Sequence, residues 1–127
     1  MNILVTIDLS EKHLERLKAA GDDIEVTVAG DESEALDTIP ETDVLIGGIN
    51  PDLYKRAERL QWVQSWGAGV DSILFEPFAS SEIRLTSAKG TVGVHLAEHA
   101  MALLFSLTRG IGTAVREGVW HNRMSIR

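Results

Sequence analysis

The sequence predicts an α/β fold, an open parallel sheet of five strands in the flavodoxin-like order 2-1-3-4-5 with helices on both faces. Three observations predict it. Short apolar segments of strand length alternate with amphipathic helical segments along the first two thirds of the chain. The strand segments are nearly continuous in apolar residues, as strands covered on both faces require. The length of 127 residues fits five β/α units around one core.

The five strands follow from runs of branched and aromatic residues bounded by turn residues. The predicted strands are residues 2–7, 24–28, 43–47, a run that begins at Gln61, and residues 83–86. Strand and helix alternate, so the strands should be parallel and connected by right-handed crossovers. The second strand has some apolar–polar alternation, which suits an edge of the sheet.

The helices between these strands carry recognisable start signals. Ser10 is the predicted N-cap of the first helix. Asp31 and Glu34 form a capping-box-like pair before the second helix, which Pro40 ends. Asn50 and Pro51 suit the N-cap and first turn of the third helix.

The turn after the fourth strand is the candidate functional site. Gly67, Ala68 and Gly69 place little side chain over the backbone, so that successive N–H groups can cradle an anion. Asp71 and Ser72 are candidate caps of a short helix that follows. In an open parallel sheet, ligands bind beyond the carboxyl ends of the strands. The turn therefore predicts a site for a carboxylate or phosphate, the alternative being a tight strand-to-helix turn without a ligand.

Composition excludes several classes of protein. The balance of 12 Lys and Arg against 19 Asp and Glu gives a net charge of −7, which argues against nucleic acid or an anionic membrane as partner. There is no cysteine and hence no disulfide or thiol chemistry. The first residues have no basic region or cleavage site of a signal peptide, and no apolar run is long enough to span a bilayer, so the expectation is a cytoplasmic protein.

The last third of the chain differs in character. We predict a substrate-binding domain over residues 1–88 and a connector with a helical arm over residues 89–127. A helix over about residues 94–109 is apolar on nearly all sides, so it should be buried on several faces.

Three motifs together carry a resemblance to a known family. They are Trp66-Gly67-Ala68-Gly69-Val70-Asp71 after a strand, Ala97-Glu98-His99 at the start of an apolar helix that closes with Arg109, and Gly118-Val119-Trp120. In order and spacing the chain resembles the N-terminal substrate-binding domain of the D-2-hydroxyacid dehydrogenases, and especially the glyoxylate/hydroxypyruvate reductase branch.

The resemblance implies an NAD- or NADP-dependent oxidoreductase acting on small 2-keto and 2-hydroxy acids. It also implies roles for individual positions. The backbone of Ala68 and Gly69 would bind the substrate carboxylate, with Val70 beside them. Gly48 and Ile49 would form a wall of the same pocket. Leu96 would approach the nicotinamide, and Trp120 would reach across a dimer.

The resemblance further implies that essential parts lie outside this chain. We expect it to stop before the dinucleotide fingerprint and the family's catalytic Arg, Glu and His, so no catalytic residue is assigned here. The isolated chain should bind no cofactor and be inactive. With the cofactor domain absent, the apolar helix should form a homodimer through residues 94–120.

Three other functions compete with this one. His95-Leu96-Ala97-Glu98-His99 spells the H-x-x-E-H pattern of some zinc peptidases, but no third ligand is evident and we expect no metal. A phospho-receiver would need an Asp at the end of strand three, where Gly47 stands. A free-standing flavodoxin-like module that binds small carboxylates without catalysis remains the alternative.

Overall fold

The computed structural model describes residues 1–118 and divides into two compact units, Met1–Lys89 and a second unit from Gly90. The elements of the first unit are β1 (Asn2–Val5), α1 (Glu11–Lys18), β2 (Glu25–Val28), α2 (Glu32–Thr38), β3 (Val44–Ile46), α3 (Pro51–Arg56), β4 (Trp62–Gln64), β5 (Arg84–Thr86) and the 3-10 turns Ile39–Glu41 and Phe78–Ser80. The second unit holds α4 (Gly93–Thr108) and α5 (Ile111–Glu117).

The five strands form one parallel sheet in the order β2-β1-β3-β4-β5, which confirms the predicted fold. In register, Leu4 of β1 lies beside Leu45 of β3, which lies beside Val63 of β4. These three side chains are fully buried. All carboxyl ends of the strands therefore meet at one edge of the sheet, where the predicted site lies.

Apolar side chains cover both faces of the sheet. One face packs against α2, α3 and the turn Phe78–Ser80; its buried members are Leu4, Ala35, Ile39, Leu45, Ile49, Leu53, Leu60, Val63 and Phe78. The other face carries a smaller cluster of Ile3, Val5 and Val44, against which Leu17 of α1 packs. Alternation along a strand sends successive side chains to opposite faces, so the central strands β1 and β3 contribute to both clusters.

Two of the predicted helix starts are confirmed in detail. The Asp31 carboxylate accepts a hydrogen bond of 2.9 Å from the N–H of Glu34 at the start of α2. Asn50 Oδ1 accepts one of 2.8 Å from the N–H of Leu53 at the start of α3. Both satisfy N–H groups that have no partner within the helix.

Two other predicted starts differ. Ser10 occupies the N-cap position of α1 without a capping bond from its side chain, and its hydroxyl lies 3.0 Å from Nδ1 of His13 instead. The short helix predicted after Asp71 is wrong, because residues 71–73 form a turn in which the carbonyl of Val70 accepts from the N–H of Ile73 at 3.0 Å. A single bonded turn does not propagate without the packed face that stabilises a helix.

The second unit consists of two helices joined at Gly110, whose φ of 63° is the left-handed conformation that glycine adopts most readily. None of the large apolar side chains of α4 is buried. Across residues 1–118, no helix combines the length and the hydrophobicity needed to cross a membrane.

Candidate functional site

The turn after β4 is held to its neighbouring strand by backbone hydrogen bonds. The N–H of Ser65 donates to the carbonyl of Thr86 at 2.8 Å, and the N–H of Ala88 donates to the carbonyl of Gly67 at 3.0 Å. The start of the turn therefore continues the β4–β5 pairing, and these two bonds fix its position at the end of the strands.

The loop after β3 lies beside this turn, because β3 and β4 are neighbours. The N–H of Gly47 donates to the carbonyl of Gln64 at 2.9 Å. Gly47 has a φ of +142°, and a Cβ at this position would collide with Oγ1 of Thr6. Glycine is therefore required at position 47 by both the backbone conformation and the packing.

Gly48 and Gly69 differ from Gly47, since a Cβ built on either of them would meet no atom within 4 Å. Neither has a φ in the left-handed region. Both are exposed. Nothing within the described chain thus explains the small size of these two residues, and the space in front of them is open.

The backbone N–H groups of the two loops are available for binding. Among residues 1–118, no hydrogen-bond acceptor faces the N–H groups of Gly48, Ala68, Gly69 or Val70. Residues 47–49 and 65–70 contain no ionisable side chain. An anion at this edge would therefore meet unpaired N–H dipoles with no carboxylate from the same two loops to repel it.

The other predicted site residues are placed as follows. Ile49 is 3% exposed and its side chain belongs to the core, so it offers only its backbone to the edge. Val70 is half-buried, and its carbonyl accepts hydrogen bonds in the turn that follows. Leu96 lies on α4 in the second unit and is 64% exposed. Trp120 lies outside the described residues.

The histidine pair of the H-x-x-E-H pattern lies on α4, where His95 and His99 are exposed one turn apart. Within the described part of the chain, no group of three His, Cys, Asp or Glu side chains is arranged to hold a metal ion. The third ligand that a zinc site requires is thus missing from residues 1–118.

Sequence analysis missed a set of polar side chains near the turn. Trp62, Gln64 and Thr86 form consecutive hydrogen bonds that end on the carbonyl of Ser65. The spacing of Trp62 and Gln64 places them on one face of β4, but their contact with Thr86 depends on the β4–β5 register, which the sequence does not display.

Within residues 1–118, one carboxylate has a clearly shifted pKa, and it lies at the opposite end of the sheet, where the strands begin. Asp43 accepts a hydrogen bond of 2.8 Å from the N–H of Asn2 and another of 3.0 Å from Nη2 of Arg59. The bond from Asn2, and secondarily the charge of Arg59, hold the pKa of Asp43 below its usual range, against the opposing effect of burial. Asp43 therefore ties strand starts together and is not part of the candidate site.

Comparison with known proteins identifies relatives over nearly the whole chain. It is 28% identical to a D-3-phosphoglycerate dehydrogenase of Methanocaldococcus jannaschii over 130 residues, which cover 97% of this chain and 25% of that protein. The enzyme of the same name from Archaeoglobus fulgidus is 25% identical over the same share of both chains. The chain thus spans about a quarter of the length of these curated relatives.

The fold has counterparts among solved structures. A D-isomer specific 2-hydroxyacid dehydrogenase family protein from Aeromonas salmonicida superposes with a TM-score of 0.76 at 26% identity, covering 96% of this chain and 41% of that one. The family described as "D-isomer specific 2-hydroxyacid dehydrogenase, catalytic domain" matches residues 3–123. With nearly its whole length inside that match, the chain belongs to the D-isomer specific 2-hydroxyacid dehydrogenase family.

Proposed function

We propose that this chain is the substrate-binding part of an NAD- or NADP-dependent dehydrogenase that interconverts small 2-keto and 2-hydroxy acids. The observation that carries the proposal is that the N–H groups of Gly48, Ala68 and Gly69 make no hydrogen bond within residues 1–118, while the space beside Gly48 and Gly69 is open. In a member of this family, a site of that kind suits the carboxylate that every 2-hydroxy acid carries.

The chemistry explains why backbone amides are suitable for this task. Reduction of a 2-keto acid requires that the carbonyl carbon be held within a few ångströms of a hydride donor. Amides in a turn pinned to the sheet through Ser65 and Gly67 move little when the ligand binds, so little ordering free energy is spent. Val70, half-buried beside them, would contact the carbon chain of the acid.

The residues of this chain do not account for the cofactor. Gly67-Ala68-Gly69-Val70-Asp71-Ser72 differs from the dinucleotide fingerprint in its last position and in lacking a helix directly after it. A bound nicotinamide would supply the hydride, and in our proposal Leu96 is the one residue here that approaches its ring. The isolated chain should therefore bind no cofactor and catalyse no reduction.

We propose a small substrate such as glyoxylate or hydroxypyruvate. Two curated relatives are D-3-phosphoglycerate dehydrogenases, whose name indicates a phosphorylated acid. The loops 47–49 and 65–70 contain neither Lys nor Arg. A second anionic group would thus find no charged partner in these loops, which favours an acid without phosphate.

We also propose that α4 takes part in a homodimer through residues 94–120. Its exposed large apolar residues are Val94, Leu96, Met101, Leu103, Leu104, Phe105 and Leu107. Leaving each such side chain in water forgoes roughly 1.5–3 kcal/mol of burial free energy. A patch of this size is typical of an interface.

The carboxylate proposal is tested by titrating glycolate into the ¹⁵N-labelled chain. The amide signals of Ala68 and Gly69 should shift with a dissociation constant on the order of millimolar, because a few solvent-exposed hydrogen bonds provide little affinity. Glycolamide, which is uncharged, is the matched control and should leave them in place. Shifts that cluster at His95 and His99 would refute the proposal.

A variant separates binding from folding. Gly69→Ala adds a methyl group beside the amides of the turn, where it meets no atom of residues 1–118 within 4 Å. It should keep the stability of the parent chain and weaken glycolate binding at least about fivefold, since the carboxylate loses its approach. Unchanged binding in this variant would show that the ligand does not sit at position 69.

A further inference from the structure

Three side chains on one face of β4 and β5 form a continuous chain of hydrogen bonds. Nε1 of Trp62 donates to Oγ1 of Thr86 at 2.7 Å, and Oγ1 of Thr86 donates to Oε1 of Gln64 at 2.6 Å. Nε2 of Gln64 then donates to the carbonyl of Ser65 at 2.9 Å. The register that pairs Gln64 with Thr86 makes these contacts possible. This series of hydrogen bonds ends at the turn that carries the candidate site.

Trp62 sets the donor-to-acceptor direction of these hydrogen bonds. The indole N–H of Trp62 only donates, so the hydroxyl oxygen of Thr86 must accept from it. The single proton of that hydroxyl is then free for Gln64, whose amide oxygen is the only acceptor on its side chain. The amide of Gln64 is thereby oriented with its NH₂ group toward the carbonyl of Ser65.

The carbonyl of Ser65 belongs to the first peptide plane of the turn. It shares a peptide plane with the N–H of Trp66, and this plane leads into the turn whose N–H groups are unpaired. Backbone bonds hold the N–H of Ser65 and the carbonyl of Gly67. Among residues 1–118, Gln64 supplies the one side-chain hydrogen bond to the backbone of residues 65–70.

We propose that Gln64 is a positioning residue for the carboxylate site, oriented in turn by Thr86 and Trp62. By donating to the carbonyl of Ser65, it fixes the first peptide plane of the turn and so the direction of the amides of Ala68 and Gly69. This inference rests on the proposed function of those amides.

The substitution Gln64→Glu tests the donated bond with an isosteric change. An ionised carboxylate still accepts from Thr86, but it repels the carbonyl of Ser65 instead of donating to it. Glycolate binding at pH 7 should weaken about five- to tenfold, the worth of one net hydrogen bond. On acidification, the introduced carboxyl regains an O–H donor. The amide signals of Ala68 and Gly69 in the ligand-free variant should then return toward their positions in the parent chain.

A second pair of variants tests the relay from Thr86. Thr86→Val removes the hydroxyl and should weaken glycolate binding to the same degree, whereas Thr86→Ser keeps the hydroxyl and should restore it. Thr27→Val, on the exposed edge strand β2, is the matched control and should change nothing. Urea unfolding of each variant shows whether a loss of binding accompanies a loss of folded protein.

The outcomes distinguish this inference from the function on which it rests. If the parent chain binds glycolate at Ala68 and Gly69 and the Gln64 and Thr86 variants bind it equally well, the positioning role is overturned and the carboxylate site stands. If Thr86→Ser fails to restore binding, the hydroxyl relay is overturned. If the parent chain shows no shifts at Ala68 and Gly69, the site and the positioning role fall together.

Discussion

Replacing Gly47 by alanine should destabilise this protein strongly, although it adds a single methyl group. Gly47 is buried at the end of β3, and its N–H is bonded to the carbonyl of Gln64. Its φ of +142° is a conformation that residues with a side chain rarely adopt. The added Cβ would also collide with Oγ1 of Thr6, the residue directly after the neighbouring strand β1.

The size of the stability loss in Gly47→Ala follows from the backbone strain and the collision. A residue other than glycine held in such a backbone region costs about 1–3 kcal/mol. Forcing a methyl group into a packed position costs about 1–3 kcal/mol, and the short side chain of Thr6 has few other rotamers to adopt. Together, these effects of Gly47→Ala should lower the free energy of unfolding by about 2–6 kcal/mol, a large part of the 5–15 kcal/mol typical of a domain.

Urea unfolding followed by tryptophan fluorescence measures this loss. Gly48→Ala is the matched control one residue away, and it should cost less than about 1 kcal/mol, because a Cβ there meets nothing within 4 Å. In a Thr6→Ala background the collision is relieved, so Gly47→Ala should then cost only the backbone strain, about 1–3 kcal/mol.

The reasoning would be refuted by equal stabilities of the Gly47→Ala and Gly48→Ala variants. Such a result would mean that the loop after β3 accommodates a side chain at either position. An unchanged cost in the Thr6→Ala background would refute only the collision and leave the strain as the cause.

Three further predictions concern pH, assembly and cofactor. Because the pKa of Asp43 is lowered in the folded state, its contribution to stability is full above about pH 5 and is lost as the pH falls through the folded-state value. Asp43→Asn should therefore lower the urea midpoint at pH 7, and its difference from the parent chain should shrink as the pH falls. Leu104→Asp with Phe105→Asp should convert the predicted dimer to a monomer in light scattering, and a parent chain that is monomeric at tens of micromolar would contradict the dimer. Calorimetry should detect no micromolar binding of NADH or NADPH, and an absorbance assay no reduction of glyoxylate; either activity would place the cofactor site within this chain.

The architecture of the first unit could be predicted because it depends on local patterns. Apolar runs of strand length, small residues after β3 and β4, and the caps Asp31 and Asn50 all act within a few residues of chain. Right-handed crossovers then leave few possible strand orders. The helix predicted after Asp71 failed for a related reason, since capping residues alone do not stabilise a turn without a packed face.

The polar relay to the turn could not be predicted, because it depends on register. Trp62 and Gln64 are two residues apart and share a face, which alternation makes evident. Thr86 lies 22 positions beyond Gln64 in sequence, and a slip of one residue in β5 would send its hydroxyl to the other face. Only the paired strands bring the donor and acceptor together.

The glycines at this edge of the sheet are small for two different physical reasons. Glycine at position 47 stabilises the fold, since the φ of Gly47 and the contact with Thr6 both disfavour a side chain. Gly48 and Gly69 have ordinary backbone conformations and open space before them, so folding of the first unit places no such demand on them. Gly48 and Gly69 are therefore small without a packing reason, and they lie beside N–H groups that have no acceptor among residues 1–118. Such a place is suited to a ligand that comes from outside the first unit. Our proposal that a substrate carboxylate binds to those N–H donors therefore predicts that substitutions at Gly47 should change stability and substitutions at Gly69 should change binding.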